Sequence, residues 1–335
     1  MVYMSSIGFV IITALMGISI GSIHIPISMI GKILAGFLFQ LPIPIEQQEQ
    51  MTPLITSIRL PRVILSFLIG AALAVSGAAL QGLLKNPLAD PYTLGVSSGA
   101  SLGAVAVLFF HLQLPLLKGY TLPLVSVMTA LLALAFIIFT STVLLKRLTI
   151  ESIILIGIIL SSFLSAVISL LIALSGEELR QIMTWLLGSV SMRGWAYIQL
   201  FLPFFTTGLL IMLLCLRDLN ALTFGDEVAQ SLGVNVGRSK ILLLFASSLL
   251  TGGAVAVSGT IGFVGLVIPH VTRLYIGSNY RHLLPLSLLN GGAFLVLADL
   301  IARTIITPRE LPIGVITALA GAPIFSILFI RRYRK

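Results

Sequence analysis

Residues 217–240 read Arg217-Asp-Leu-Asn-Ala-Leu-Thr-Phe-Gly-Asp-Glu-Val-Ala-Gln-Ser-Leu-Gly-Val-Asn-Val-Gly-Arg-Ser-Lys240, a long stretch of soluble-protein composition between apolar runs of membrane-spanning length. Thr223 followed by Asp226 has the spacing of a helix start, and Gly233 can end that helix. One apolar face would be formed by Val228, Ala229 and Leu232. The stretch therefore predicts a short amphipathic helix outside the bilayer that contacts a soluble partner. A plain loop is the alternative.

The rest of the composition is that of a polytopic membrane protein. Charged residues are 9% and hydrophobic residues 58% of 335, and the mean hydropathy is +1.12, whereas a soluble domain carries roughly 25% charge. At about 20 residues per helical span, the apolar runs accommodate about ten spans. We expect an all-α fold with one transmembrane domain over residues 1–335. The predicted spans are 7–30, 62–84, 93–111, 121–145, 152–174, 197–216, 241–258, 261–276, 283–305 and 312–330.

The net charge is +9, and the positions of the basic residues indicate how the chain is oriented in the membrane. The basic residues are scattered at span ends, without the clustered surface that binding nucleic acid requires, so no nucleic-acid partner is expected. With both termini cytoplasmic, the positive-inside rule is satisfied. The inside receives Lys85, Lys146, Arg147, Arg217, Arg238, Lys240, Arg273, Arg281, Arg331, Arg332, Arg334 and Lys335. The outside receives Arg59, Arg62, Lys118, Arg180, Arg193, Arg303 and Arg309.

An eight-residue motif occurs twice. Gly70 opens Gly-Ala-Ala-Leu-Ala-Val-Ser-Gly, and Gly252, 182 residues later, opens Gly-Gly-Ala-Val-Ala-Val-Ser-Gly. At the same offset Pro87 matches Pro269 and Gly95 matches Gly277. The two copies fall in predicted spans that cross in opposite directions, which indicates an inverted repeat. A chance match between small residues that favour close helix packing is the alternative.

Motifs for catalysis and metal binding are sparse. The sequence has no Gly-x-x-x-x-Gly-Lys-Ser/Thr run, so any ATP must be bound by another subunit and the chain is not expected to be an enzyme. Gly95-Val-Ser-Ser-Gly99 matches a nucleophile elbow around Ser97, but a hydrolase would also need a partnering acid and histidine. The single Cys215 and four isolated histidines predict no disulfide, metal site or cofactor.

Two features within the spans leave alternatives open. Asp299 lies one helical turn before Arg303, which indicates an ion pair. The alternative is a proton relay, as in a proton-coupled secondary transporter of a bulky solute.

The fifth span has a polar, uncharged face, which is either a hydroxyl-lined path for a bulky solute or a packing surface. That face comprises Ser161, Ser162, Ser165 and Ser169.

The chain resembles the permease family of ABC importers for iron-siderophores, haem and vitamin B12 from about Ser57 to its C-terminus. The matching segments are Arg59-Leu-Pro-Arg62, Gly70 to Gly82, Asn86-Pro-Leu-Ala89, Leu94-Gly-Val-Ser-Ser-Gly99, Gly259-Thr-Ile-Gly-Phe-Val-Gly-Leu-Val-Ile-Pro-His270, Ala298-Asp-Leu-Ile-Ala-Arg303 and Glu310-Leu-Pro-Ile-Gly314. The resemblance implies a type II ABC importer permease in the bacterial cytoplasmic membrane. It implies as partners a second permease, identical or not, two cytoplasmic ATPase subunits and an extracytoplasmic solute-binding protein.

The same resemblance assigns roles to residues. It makes 217–240 the cytoplasmic coupling segment, with Leu219, Leu222, Thr223, Asp226, Glu227, Val228, Leu232 and Gly233 at the ATPase. It places the fifth span, which carries the serine face, and the tenth span along the translocation path, with a cytoplasmic gate at Thr149, Ile150, Glu151 and Ser152. Ile150 and Glu151 replace small hydroxyl residues of the B12 member, which slightly favours an iron chelate. Arg59, Arg62 and Arg303 are implied as the dock for the binding protein; anchoring to lipid headgroups and pairing with Asp299 are the alternatives.

Overall fold

Helices build the described chain, which comprises residues 1–21, 23–39, 51–115, 119–146, 148–306 and 308–333 of a computed structural model. No strand occurs among these residues, so the all-α prediction is confirmed for them. The helices are α1 Val2–Ser19, α2 Ile27–Phe39, α3 Met51–Leu83, α4 Val96–Phe109, α5 Thr121–Leu144, α6 Ile150–Leu174, α7 Leu179–Leu186, α8 Trp195–Leu214, α9 Leu216–Leu222, α10 Asp226–Ser231, α11 Val236–Ser258, α12 Val264–Ile276, α13 Tyr280–Thr304 and α14 Ile313–Tyr333.

Seven of the described helices are long and apolar enough to cross a membrane: α1, α3, α5, α6, α8, α11 and α13. Three shorter apolar stretches coincide with predicted spans: α4, α12 and the part Ile313–Ile327 of α14. Length and hydropathy therefore support seven spans, and the predicted count of ten is not confirmed by them. Of the basic residues used to predict orientation, Lys118, Arg147, Arg334 and Lys335 lie outside the described residues.

The first predicted span, 7–30, is wrong in its second half. Helix α1 ends at Ser19, and Ile20 is extended, with φ −91° and ψ 133°. Ser19 Oγ donates a hydrogen bond of 2.7 Å to the Ile25 carbonyl, and Ile25 N donates one of 3.0 Å to the Ser19 carbonyl. Pro26, which has no N–H to donate, precedes the separate helix α2. The apolar run therefore contains a turn that hydropathy alone does not reveal.

Helices α3 and α11 form the centre of the bundle. In each of them, 83% of the apolar window is buried, more than in any other described candidate span. A hydrogen bond of 2.9 Å between Ser76 Oγ and Thr251 Oγ1 joins the two helices. Helix α3 also packs closely on α13, where a Cβ added to Gly70 would lie 2.2 Å from the Gly291 carbonyl oxygen. The small residues of the first motif copy thus allow close helix packing.

The inverted repeat is not confirmed. Its two motif copies lie in the two most buried helices, α3 and α11, as an internal repeat would require. Beyond the motif the elements differ, because α12 follows the second copy closely, whereas irregular chain and a short 3₁₀ turn at Pro91–Leu94 follow the first.

Candidate functional site

The predicted coupling segment contains two short helices, α9 and α10. Helix α10 begins at Asp226, after Gly225 with φ 121°, and Thr223 does not cap it. Instead Thr223 Oγ1 donates a hydrogen bond of 2.6 Å to the Asn220 carbonyl behind it. The predicted role of Thr223 as a helix start is therefore wrong. The residue at the cap position is Gly225, two residues later, and it provides no side-chain hydrogen bond to the helix.

The predicted end of α10 is confirmed at Gly233. This glycine has φ +82°, a left-handed conformation that favours glycine. Gly233 N donates 2.9 Å to the Gln230 carbonyl, and Val234 N donates 3.0 Å to the Ala229 carbonyl. This pair of bonds is a Schellman motif, which satisfies the last carbonyls of the helix and turns the chain towards α11.

The predicted apolar face divides into a buried part and an exposed part. Ala229, Leu219 and Leu222 are buried and hold the segment to the bundle. Val228 is 44% exposed and Leu232 is 65% exposed. Phe224, which the sequence analysis did not single out, is 75% exposed. We call Phe224, Val228 and Leu232, which are spaced four residues apart, the coupling patch. Their regular spacing was the signal that could have identified Phe224.

Lys240, in the first turns of α11, connects the predicted coupling segment to the loop before α6. Its side chain is only 2% exposed. The ammonium group donates a hydrogen bond of 2.6 Å to Asp226 Oδ2, at the start of α10. It donates a second one of 3.2 Å to the Leu148 carbonyl, in the loop that leads into α6. One buried cation therefore joins its own helix, α11, to two other segments.

The predicted gate residues begin α6. Thr149 caps the helix, because its Oγ1 accepts a hydrogen bond of 3.3 Å from Ser152 N. The hydroxyls of Ser152 and Ser141 lie 2.8 Å apart, which joins α6 to the end of α5. Glu151 is exposed and Ile150 is half-buried.

A cleft brings the predicted gate and the predicted coupling segment together. Its volume is about 360 Å³. One wall consists of Thr149, Ile150 and Glu151, and the other is the run from Phe224 to Val228; Lys85 completes it. The two sets, distant in sequence, are therefore neighbours across one opening.

The serine face of α6 also divides. Ser162, Ser165 and Ser169 are exposed, whereas Ser161 is half-buried beside Gly95. The exposed three do not serve helix packing within the described chain, so they face lipid, a partner or an aqueous path. Ser97, of the Gly-x-Ser-x-Gly match, is buried in α4, and its Oγ has no hydrogen-bond partner among the described residues.

The three arginines predicted to dock a binding protein are not exposed. Arg59 is 4% exposed, and its guanidinium donates hydrogen bonds to two carbonyls at the end of α1, Ile18 at 2.6 Å and Ser19 at 3.0 Å, and to the Ile23 carbonyl in the chain that follows, at 2.5 Å. Arg303 donates to the Gly17 carbonyl of the same helix end. Cations at a helix C-terminus stabilise the helix dipole and the last carbonyls. The expectation of exposed charges is thus wrong, and their docking role stays a prediction.

Arg62 forms the centre of this cluster. Its Nε lies 3.0 Å from Asp299 Oδ2, and its two terminal nitrogens reach Asp299 and Glu310 at 2.8 and 2.9 Å. Arg303, the predicted partner of Asp299, is more distant at 3.9 Å. Burial acts to raise the pKa of Glu310, but hydrogen bonds and charge from Arg62 outweigh it, so this pKa lies below its ordinary value. The chief ion pair therefore joins two helices, where the sequence predicted a pair within one.

The chain matches known families over nearly its whole length. A family profile described as the FecCD transport family matches residues 9–331. The chain is 54% identical to YvrB, an ABC transporter permease protein of Bacillus subtilis (strain 168), over 99% of this chain and 94% of the relative. It is 43% identical to HmuU, a hemin transport system permease protein of Yersinia pestis, over 82% of this chain and 83% of the relative.

A solved structure supports the same relationship. The fold superposes with a TM-score of 0.84 and 34% identity on an inward-facing conformation of an ABC transporter assigned to the metal-chelate type. That match covers 98% of both chains. A cobalamin import system permease protein of Halobacterium salinarum is 41% identical over 87% of this chain and 77% of its own length.

Proposed function

This chain belongs to the FecCD transport family, and on that premise we propose that it is the transmembrane permease subunit of an ATP-driven importer in a bacterial cytoplasmic membrane. The cargo is an iron chelate (a siderophore complex or haem) or cobalamin. The chain supplies the passage, and two cytoplasmic ATPase subunits bind and hydrolyse the ATP.

The observation that carries the proposal is the position of the coupling patch beside the gate. Phe224, Val228 and Leu232 are large apolar side chains exposed in a segment of polar composition. Exposed apolar groups rimmed by polar residues are typical of a protein interface. The same segment lines the cleft opposite Glu151. A subunit bound at the patch could therefore move the entrance of α6 by a short path.

The proposed substrate class rests on the relatives. They include permeases for hemin, for cobalamin and for Fe(3+) dicitrate. All three are bulky cargoes, and the exposed serine face of α6 offers hydroxyls without fixed charge. Such a wall suits a wide passage with few specific contacts. Ile150 and Glu151 at the gate favour an iron chelate over cobalamin.

The remaining architecture is proposed as follows. Seven long helices and three shorter apolar ones together provide ten spans with an inverted repeat centred on α3 and α11. Two permease chains, identical or paralogous, enclose the passage between their α6 helices, which have only 22% of their apolar window buried. Asp299 is held by Arg62, so it is poorly placed to relay protons in a secondary carrier.

A solute-binding protein is the proposed partner on the outer side, near the cluster of Arg59, Arg62 and Arg303. These guanidinium groups are occupied by contacts within the chain. If the binding protein docked directly on these arginines, its carboxylates would have to replace the acceptors within the chain that the guanidinium groups now bind. Glu310, 39% exposed, is the part of this cluster that solvent and a partner reach first.

Uptake by a reconstituted complex tests the proposal. The permease is assembled in liposomes with its ATPase and binding protein, and accumulation of labelled ferric siderophore, haem and cobalamin is measured with and without ATP. We expect ATP-dependent accumulation of at least one of the three, with no nucleotide binding by the purified permease alone. Accumulation that needs no ATP and follows a proton gradient would instead support a secondary carrier.

A further inference from the structure

The contacts of Lys240 suggest how movement of the coupling segment reaches the gate. We propose that Lys240 is a positioning residue that ties α10 to the loop before α6, so that both move as one unit when the ATPase subunits move. This inference rests on the proposed function and adds the mechanical link within this chain.

The ammonium group of Lys240 is buried. A lysine side chain 2% exposed has lost nearly all of its hydration. Such a group is stable only when other groups replace the water. Here Asp226 Oδ2 at 2.6 Å and the Leu148 carbonyl at 3.2 Å do so. Separating α10 from the loop would leave the ammonium with only one of its two described acceptors, so the arrangement resists separation.

The two acceptors of the ammonium lie beside the two surfaces that the link would join. Asp226 is the first residue of α10, two residues before Val228 of the coupling patch. Leu148 precedes Thr149, the residue that caps α6. Each acceptor therefore lies within a few residues of the surface that it would couple, the patch on one side and the gate on the other. The cleft of about 360 Å³ separates the two walls at this opening.

The contact between Lys240 and Asp226 can be removed without unfolding the segment. The Asp226 side chain is 43% exposed overall, although its Oδ1 is buried and has no hydrogen-bond partner among the described residues. Loss of the ammonium therefore leaves a carboxylate at the surface that is partly hydrated. Ala229, Leu219 and Leu222 remain buried and keep the segment on the bundle. Substitution of Lys240 by a similarly long apolar side chain should therefore affect transmission more than folding.

The test compares Lys240→Met with Lys146→Met in the complete reconstituted complex. Lys146 is an exposed cytoplasmic lysine in the loop that contains Leu148, so its substitution removes the same charge without breaking the tie. We expect Lys240→Met to assemble with the ATPase and to hydrolyse ATP, while transport per ATP falls by roughly tenfold or more, the size of an ordinary coupling between sites. Lys146→Met should transport as the unmodified chain does. The probe is labelled ferric siderophore, or haem or cobalamin where that is the one accumulated.

A second readout reports on the gate itself. In a Cys215→Ser background, a cysteine at Glu151 is labelled with a membrane-impermeant maleimide before and after trapping with ATP and vanadate. We expect trapping to change the labelling rate when Lys240 is present and to leave it unchanged in Lys240→Met. A purely structural role would alter the labelling in both states alike.

The outcomes separate this inference from the proposed function. If the unmodified complex shows no ATP-dependent uptake, the proposed function fails. If it transports and Lys240→Met transports equally well per ATP with a responsive gate, the tie is not the link. Should Lys240→Met not assemble, Asp226→Asn takes its place, because it keeps the shape of the side chain and removes its charge. A several-fold loss of transport per ATP is then expected, and full coupling would overturn the inference.

Discussion

The guanidinium group of Arg62 binds the carboxylate of Asp299 through Nε at 3.0 Å and a terminal nitrogen at 2.8 Å, and so fastens α3 to α13. The Asp299 side chain is 2% exposed. A bidentate pair of this kind is directional as well as strong, so it fixes the rotation of both helices at this end of the bundle.

Removing Arg62 is expected to destabilise the fold. Arg62→Met leaves the buried Asp299 carboxylate with only the more distant Arg303, at 3.9 Å, as a cationic partner, which should cost up to about 3–5 kcal/mol and lower the unfolding temperature in detergent. Arg180→Met, at an exposed arginine of α7, is the matched control and should have little effect. The double variant Arg62→Met/Asp299→Leu should recover most of the loss, because both charges are then absent. An unfolding temperature of Arg62→Met equal to that of the control would contradict the structural role.

The contribution of Glu310 should depend on pH in a defined direction. Its pKa is lowered in the folded state, so its stabilising effect is present above the pKa of the unfolded chain and is lost as pH falls through the folded pKa. Glu310→Gln should therefore lower the unfolding temperature at pH 7, with the difference closing below about pH 4, given an ordinary glutamate pKa of about 4.3. A difference that stays constant as pH falls well below 4, through the lowered pKa of the folded chain, would show that charge is not involved.

The coupling patch should matter for assembly and not for folding. Val228→Asp and Leu232→Asp place a carboxylate on exposed positions, so the isolated permease should keep its unfolding temperature. In the complex the same carboxylate would be buried without a partner, at a cost of several kcal/mol. Co-purification with the ATPase and ATP-dependent transport should both fall. Ala229→Asp, at a buried position of the same helix, should instead lower the unfolding temperature of the permease alone.

Neighbouring serines on α6 should respond differently to a large ring. Ser165 is exposed, so Ser165→Trp should fold and assemble normally while blocking uptake if this face lines the passage. Ser161 is half-buried against Gly95, so Ser161→Trp should overpack the helix contact, cost about 1–3 kcal/mol and reduce the yield of folded protein. Full uptake by well-folded Ser165→Trp would exclude this face from the passage.

The close contact between α3 and α13 predicts a strong effect of a single methyl group. A Cβ at position 70 would meet the Gly291 carbonyl oxygen at 2.2 Å, so Gly70→Ala should force the helices apart and cost roughly 1–3 kcal/mol. Gly8→Ala on α1, where no atom lies within 4 Å of the added carbon, should be neutral or stabilising, because glycine weakens a helix interior. The unfolding temperatures of the two variants in the same detergent check the difference.

The sequence by itself determined the fold class, most helix positions and the end of α10. In lipid, a continuous apolar run of spanning length satisfies its backbone hydrogen bonds within itself by forming a helix. Gly233 is the residue type that the left-handed conformation at a helix end favours. The exposed patch at Val228 and Leu232 followed from helical spacing in the same way. These are local properties, which spacing and residue type report directly.

Only the tertiary structure decided which charged groups meet. Asp299 has Arg303 one turn away in the sequence, yet it binds Arg62, 237 positions distant along the chain, because α3 packs against α13 and directs that guanidinium at it. Likewise Lys240 meets Asp226 and the Leu148 carbonyl only because α10, α11 and the loop before α6 converge. Arginines that resemble a docking rim in sequence are buried against the end of α1 for the same reason. Burial and pairing depend on which surfaces the packed helices bring together, and spacing along one chain does not contain that information.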